Sequence, residues 1–172
     1  MTTDSNLQLS SGHRPNRPSR RQGIEWNNHY QANSWLLIDA DLSISQSRYT
    51  EDDPVGNYVP GSIEQVASFG VNVADYKNWF GSLQLRYFGP RPLIEDNSER
   101  SAPTSLANLR IGYKWSPRTR VILDIFNLFN REASDIDYYY GSQLRAEGSP
   151  VDGISFHPAE PRTMRIALVH HF

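Results

Sequence analysis

The chain contains no cysteine, so disulfide frameworks and cysteine-based zinc sites are excluded. It also lacks an excess of charge of either sign, because 17 Lys+Arg stand against 19 Asp+Glu and the formal net charge is −2. No basic field is therefore present to hold a nucleic acid. The mean hydropathy is −0.60, and there is no run of the roughly 18 apolar residues that a transmembrane helix needs.

Targeting and catalytic motifs are also missing from the 172 residues. The opening Met-Thr-Thr-Asp-Ser-Asn has neither the basic region nor the apolar core of a signal peptide, so we expect no signal peptide in this chain. No glycine-rich phosphate cradle or metallohydrolase spacing occurs. Ser155 lies close to His157 in sequence, but no acid can be placed to orient the imidazole. The sequence therefore predicts no enzyme and no cofactor.

What the chain does have is alternation of apolar and polar residues. In segment 162–172, the residues Met164, Ile166, Leu168 and Phe172 fall on one face, which only His170 interrupts. A period of two predicts a β-strand with unlike faces. The same pattern predicts further strands at 22–30, 35–49, 65–73, 79–88, 106–115 and 118–127, and a weaker one at 6–10.

The charged residues of these strands share one face. In a soluble sheet this face would meet solvent, whereas in a membrane barrel it would line the lumen while the apolar face met lipid. The members of this polar face are Glu25, Asp39, Asp41, Arg86, Arg110, Lys114, Asp124 and Arg165.

The connections between the predicted strands alternate in length. Those at 31–34, 74–78 and 116–117 are short, and those at 50–64, 89–105 and 130–161 are long. Outer-membrane barrels have short turns at one end and long loops at the other. The sequence therefore predicts an all-β fold, an antiparallel up-and-down transmembrane β-barrel segment of about seven or eight strands.

Aromatic residues are expected near the strand ends, where amphipathic rings form girdles at the two membrane–water interfaces. The bland alternative is ordinary packing at the margin of a sheet. The residues concerned are Trp26, Tyr30, Trp35, Tyr87, Trp115 and Phe172.

Several blocks of sequence resemble a known family. The strand Val-Ile-Leu-Asp-Ile-Phe that starts at Val121 runs into Asn127-Leu-Phe-Asn130, and Glu160-Pro-Arg162 leads into the last strand. The pair resembles the end of the barrel of TonB-dependent outer-membrane receptors. Segments 86–92 and 20–25 are similar to other blocks of that family.

The resemblance implies that the chain is part of a larger barrel. Family members have about 22 strands around an N-terminal plug domain, and a short box in the plug binds TonB. We expect residues 1–172 to be a single barrel segment without the plug, with Met1 as an internal start, a truncated gene or a split reading frame. The resemblance also implies the bacterial outer membrane as location. Small-molecule cargo and TonB are expected as partners only in a full-length receptor.

The C-terminal strand is similar to the signature that the barrel-assembly machinery recognises in outer-membrane proteins. The expected signal residues are Phe172, Leu168, Ile166 and Met164. Outer-membrane lipid and the assembly machinery are therefore the expected partners of the chain itself.

Candidate cargo contacts lie in the predicted loops. Tyr138, Tyr139 and Tyr140 could stack on a ligand, and Arg91 could contact cargo or order its own loop. Asp135, Asp137, Asp152, His157 and Glu160 match no compact metal-binding spacing, so no metal site is predicted.

Two other interpretations remain open at this stage. The first is a free-standing eight-stranded barrel with a structural or adhesion role, which the weak strand at 6–10 disfavours, because a closed barrel needs a full-length partner for its last strand. The second is a soluble β-sandwich binding module, which the alternation of loop lengths disfavours.

Overall fold

The computed structural model describes residues 17–143 and 148–172, and the weak strand predicted at 6–10 lies outside these ranges. No helix of the described part is long and apolar enough to cross a membrane. The described residues form the strands β1 (Ser19–Gln31), β2 (Leu36–Tyr49), β3 (Gln65–Tyr76), β4 (Trp79–Phe88), β5 (Thr104–Ser116), β6 (Thr119–Phe126), β7 (Ser134–Ser142), β8 (Val151–Pro158) and β9 (Thr163–His170).

Seven strands form one sheet in the order β1-β2-β3-β4-β5-β6-β9, and each neighbouring pair is antiparallel. The sheet does not close, because within the described residues β1 and β9 are its two unpaired edges. The prediction of an all-β, antiparallel partial barrel is confirmed. No second layer packs on this sheet in the described ranges, so the β-sandwich interpretation is wrong.

The register gives every strand two unlike faces. One cross-strand row is apolar through all seven strands, and the adjacent row is mainly polar. We call the first side the outer face and the second the inner face. The outer row is Tyr30, Ile38, Val71, Leu83, Leu109, Ile125 and Met164, and the inner row is Gln31, Leu37, Asn72, Ser82, Arg110, Asp124 and Arg165.

Short turns join the strands at one end of the sheet, which we call the short-turn end. Lys77 and Asn78 both have positive φ, of 50° and 72°, between the paired residues Tyr76 and Trp79. This is the two-residue turn whose twist matches that of the flanking strands. In the turn between β1 and β2, the side-chain oxygen of Asn33 accepts hydrogen bonds from two backbone N–H groups.

The connection predicted as a loop at 130–161 is not all loop, because it contains the hairpin β7–β8. Its alternation is hard to read in sequence. In β7, Asp137 directly precedes three consecutive tyrosines, so apolar and polar residues do not alternate there. In β8, a glycine and a proline leave only Ile154 and Phe156 on a period of two. The hairpin stands at the other end of the sheet, the long-loop end, together with loops 50–64 and 89–103.

Most of the predicted girdle lies at the short-turn end, where the ring of Trp35 lies 4.5 Å from that of Tyr76 and the ring of Trp79 lies 4.8 Å from that of Tyr113. Tyr87 is near the long-loop end of β4. Trp26 is an exception, because it lies in the middle of β1 and not at a strand end.

Candidate functional site

Buried residues of the described ranges are concentrated in loop 89–103. Pro92 is fully buried, and Leu93, Glu95 and Ser101 are 5–6% exposed. The single-layered sheet leaves most side chains of both faces open, although Ala107 of β5 and Asp124 of β6 are buried. Loop 89–103 is therefore the centre of a loop assembly at the long-loop end.

Loop 50–64 packs on loop 89–103 through the backbone. The Tyr58 N–H donates to the Glu95 carbonyl at 2.9 Å, and the Gly61 N–H donates to the Pro92 carbonyl at 2.8 Å. Gly56 has a φ of 120°, and a Cβ there would lie 2.2 Å from the Glu95 carbonyl oxygen. Only glycine allows this approach of the two loops.

Ion pairs connect the loops to each other and to residues in or next to β1 and β2. The Arg17 guanidinium lies 2.6 Å from the Glu95 carboxylate, with side chains that are 4% and 6% exposed. Glu64 bridges two arginines, since its oxygens lie 3.3 Å from Arg48 and 2.6 Å from Arg100. Pairs this well shielded fix geometry more strongly than exposed pairs do.

An open cleft lies between loop 50–64 and the tip of loop 89–103. Its lining includes the carboxylates of Asp52, Asp53, Glu95 and Asp96. The backbone N–H of Ser98, with some help from the Ser98 hydroxyl, holds the pKa of Asp96 below its usual range. Among the described residues, no three metal-binding side chains are close enough to hold an ion.

The hairpin β7–β8 is attached to loop 89–103 by a shielded pair. The Arg91 guanidinium lies 2.7 Å from the carboxylate of Asp137, whose side chain is 4% exposed. The Thr104 hydroxyl donates to the Ser134 carbonyl at 2.7 Å. Asp137 and Arg91 thus place the hairpin against its neighbouring loop.

The three adjacent tyrosines fall on different faces of this hairpin. Tyr139 is on the face of Asp137, half-buried, and burial raises the pKa of its hydroxyl, with further contributions from Asp152, Glu99 and Asp96. Tyr138 and Tyr140 are on the opposite face, 56% and 51% exposed. Their cross-strand partners are the small residues Ser155 and Gly153, which leave both rings uncovered.

The inner face of the sheet carries hydrogen-bonded charges. Asp124 is 4% exposed and lies between two arginines, at 2.6 Å from Arg110 and 2.7 Å from Arg165. Nearer to β1, Asp39 accepts from Asn72 at 2.8 Å and also contacts His29. A polar face with internal partners can line a water-filled or protein-filled lumen.

The two motifs that carried the resemblance contact each other. The Asn127 side chain donates to the carbonyls of Arg131 at 2.9 Å and Glu160 at 3.0 Å, and it accepts from the Arg131 N–H at 2.9 Å. The Asn130 side chain accepts from the Arg162 N–H at 3.0 Å. We call this cluster the asparagine clip, because it holds together the two ends of excursion 127–162.

The proposed assembly signal also has a defined geometry. Met164, Ile166 and Leu168 project from the outer face of β9 and are 62%, 77% and 71% exposed. Phe172 lies beyond the end of β9, and its ring is 5.0 Å from that of His170 in an edge-to-face contact.

Sequence reasoning placed Asp124 on the correct face but missed the importance of Glu95 and Asp137. Glu95 lies in a polar loop without periodicity, and only contacts with distant residues bury it. For Asp137 the local sequence gives no clear alternation either, since the residues two positions away are Asp135 and Tyr139. Arg91 is engaged by Asp137, whereas the side chains of Tyr138 and Tyr140 are exposed.

Solved structures of longer chains share the fold of this chain. The chain resembles the ferric yersiniabactin uptake receptor FyuA from Yersinia pestis, with 22% identity and a TM-score of 0.66 over 90% of this chain and 24% of that one. It also resembles the copper transporter OprC, with 18% identity and a TM-score of 0.67 over 90% and 24%. A third similar structure is the unliganded ferric citrate transporter FecA, with 18% identity and a TM-score of 0.65 over 88% and 24%.

The chain thus spans about a quarter of the length of these structures. The family model for the β-barrel of TonB-dependent receptor-like proteins matches residues 3–128. The match covers well over half of the 172 residues, and the chain therefore belongs to the family of TonB-dependent receptor-like β-barrels.

Proposed function

We propose that this chain forms a segment of the wall and outer loops of a TonB-dependent receptor in the bacterial outer membrane. The observation that carries the proposal is the pair of adjacent cross-strand rows, one apolar and one mainly polar, through all seven strands of an open sheet. A sheet with two unpaired edges exposes backbone groups that further strands would satisfy. Residues 1–172 then act as one barrel segment.

Proteins of this family are transporters and not enzymes. In a full-length receptor the cargo would be a scarce nutrient such as an iron chelate, cobalamin or a glycan, with TonB supplying the energy. The names of the similar structures give different cargoes, among them ferric yersiniabactin and copper. The segment proposed here supplies part of the loop surface that such cargo meets.

Tyr138 and Tyr140 are the proposed ligand contacts of this segment. Their exposed rings lie on the same face of the hairpin, and each combines an apolar ring with a polar hydroxyl, which suits stacking on a planar or cyclic group. Tyr139 and Arg91 contribute in another way: Tyr139 faces loop 89–103, and Arg91 holds the hairpin through Asp137. We therefore assign ligand contact to Tyr138 and Tyr140, and positioning of the hairpin to Tyr139 and Arg91.

The remaining proposed partners are lipid and the barrel-assembly machinery. The outer face presents apolar side chains where a barrel meets the bilayer. The exposed alternating residues of β9, together with Phe172, would form the signal that the assembly machinery reads. In this family such barrels are outer-membrane proteins, and the same location is proposed for this chain.

Epitope tags test the proposed orientation when the chain is fused to an export signal and produced in a bacterium. A tag after Asn97, at the tip of loop 89–103, should bind antibody on intact cells. A tag after Asn33, in a short turn, should bind only after the outer membrane is permeabilised. Recovery of the chain in the soluble fraction, or equal labelling of both tags on intact cells, would contradict the proposal.

A further inference from the structure

Two arginines lie directly opposite each other at the long-loop end of the outer face. Arg20 of β1 and Arg48 of β2 are register partners, and they share this face with Ile24 and Ile44, which are 78% and 53% exposed. Like charges on directly opposed residues destabilise a sheet. A bound anion between the two side chains would remove that cost.

The local carboxylates do not neutralise this arginine pair. Glu64 is the acid that contacts Arg48, at 3.3 Å, but it is shared with Arg100 at 2.6 Å. Arg48 also stacks on Tyr58, with its guanidinium 3.6 Å from the ring centroid, which fixes its position. Arg20 is exposed, and its side chain has no hydrogen-bond or ion-pair partner within residues 17–143 and 148–172.

The height of Arg20 and Arg48 above the apolar band of the outer face indicates which kind of anion the two side chains meet. Arg48 lies four positions beyond Ile44, which is about 13 Å along the strand at about 3.3 Å per residue. A strand tilt of about 40° reduces this to about 10 Å along the membrane normal. The headgroup layer begins at the edge of the apolar band and extends several ångströms outward, so long arginine side chains at this height lie among lipid headgroups.

We propose that Arg20 and Arg48 form a binding site for the phosphate of a lipid headgroup in the outer leaflet. Guanidinium groups bind phosphate oxygens in pairs of parallel hydrogen bonds, and lipid is the occupant that the outer face itself meets. The neighbouring Arg21 cannot substitute, because its side chain lies on the inner face and bonds the Ser45 hydroxyl at 2.9 Å. The inference rests on the proposed membrane location of the chain.

Native mass spectrometry of the full chain in detergent micelles tests this site, with diphosphorylated lipid A and dephosphorylated lipid A as probes. We expect retention of the phosphorylated lipid alone. Arg20→Gln should weaken retention about ten-fold, the usual scale for losing a charge-assisted hydrogen bond, and Arg20→Lys should have a smaller effect. Because Arg48 also contacts Tyr58 and Glu64, Arg48→Gln is used only after circular dichroism has verified that the variant folds.

The matched control is Arg120→Gln, an exposed arginine at the short-turn end on the inner face. Equal losses for Arg20→Gln and Arg120→Gln, or equal retention of dephosphorylated lipid A, would overturn the proposal. Displacement of the lipid by millimolar inorganic phosphate would overturn it in favour of a free-anion site. A chain that stays monomeric in buffer without detergent would overturn the proposed function as well, whereas a detergent-dependent chain without phosphate preference would overturn only this inference.

Discussion

The side-chain amide of Asn127 donates a hydrogen bond of 3.0 Å to the backbone carbonyl of Glu160, 33 residues further along the chain. Asn127 is 4% exposed, and its φ of 48° lies in the left-handed region that asparagine tolerates better than most residues. The contact sets the distance between the end of β6 and the start of β9. The asparagine clip therefore fixes where the last strand enters the sheet, whatever the long excursion between them contains.

Asn127→Ala should destabilise the folded chain by about 3 kcal/mol, because three buried side-chain hydrogen bonds are lost and alanine is strained at positive φ. The measurement is urea-induced unfolding in micelles, followed by tryptophan fluorescence. Asn27→Ala is the control, since Asn27 is exposed on the inner face of β1. Similar midpoints for the two variants would show that the clip does not stabilise the fold.

Removal of the charge of Asp124 should lower the free energy of unfolding by less than the burial of this side chain suggests. Asp124→Asn weakens the bonds to Arg110 and Arg165, but these side chains are 47% and 60% exposed and can be rehydrated. We expect a loss of about 1–2 kcal/mol in unfolding free energy. Asp41→Asn, where the exposed carboxylate accepts from the Ser68 hydroxyl, should cost clearly less in the same unfolding experiment. A loss at Asp124 no larger than that at Asp41 would refute the bridging role.

The pair of Arg91 and Asp137 should control the hairpin β7–β8 without controlling the sheet. Arg91→Ala and Asp137→Ala should each speed hydrogen exchange in β7 and β8 and leave exchange in β3 and β4 unchanged. A double-mutant cycle should give a coupling of about 1–3 kcal/mol, as for shielded charge-assisted pairs. Additive effects of the two substitutions would mean that the pair is not what attaches the hairpin.

Much of the sheet could be predicted from sequence because alternation is a local property. The register that joins Tyr30 to Ile38 follows once the short turn between β1 and β2 is recognised. The contact of Asp124 with Arg165 could not be predicted, because β9 pairs with β6 only after the long excursion 127–162. The burial of Glu95 was equally inaccessible, since it depends on contacts between loops that are distant in the chain.

The clip illustrates a different limit of sequence reasoning. The motifs around Asn127 and Glu160 were recognisable as a family resemblance, but their spacing carried no hint that they touch. The hairpin between them was missed because a glycine and a proline dilute the pattern of β8. The two motifs are joined by hydrogen bonds from side chains to backbone carbonyls, which place few demands on the side chains in between.

The central claim is that one face of this sheet meets lipid and the other lines the lumen. The absence of native cysteine allows single spin labels to be attached at Val71, Leu83 and Leu109 on the outer face and at Asn72, Ser82 and Gln84 on the inner face. In lipid bilayers, electron paramagnetic resonance should find the first set accessible to oxygen and the second set accessible to a water-soluble nickel complex. Accessibility that does not alternate between neighbouring residues, or that alternates in the opposite sense, would contradict the account.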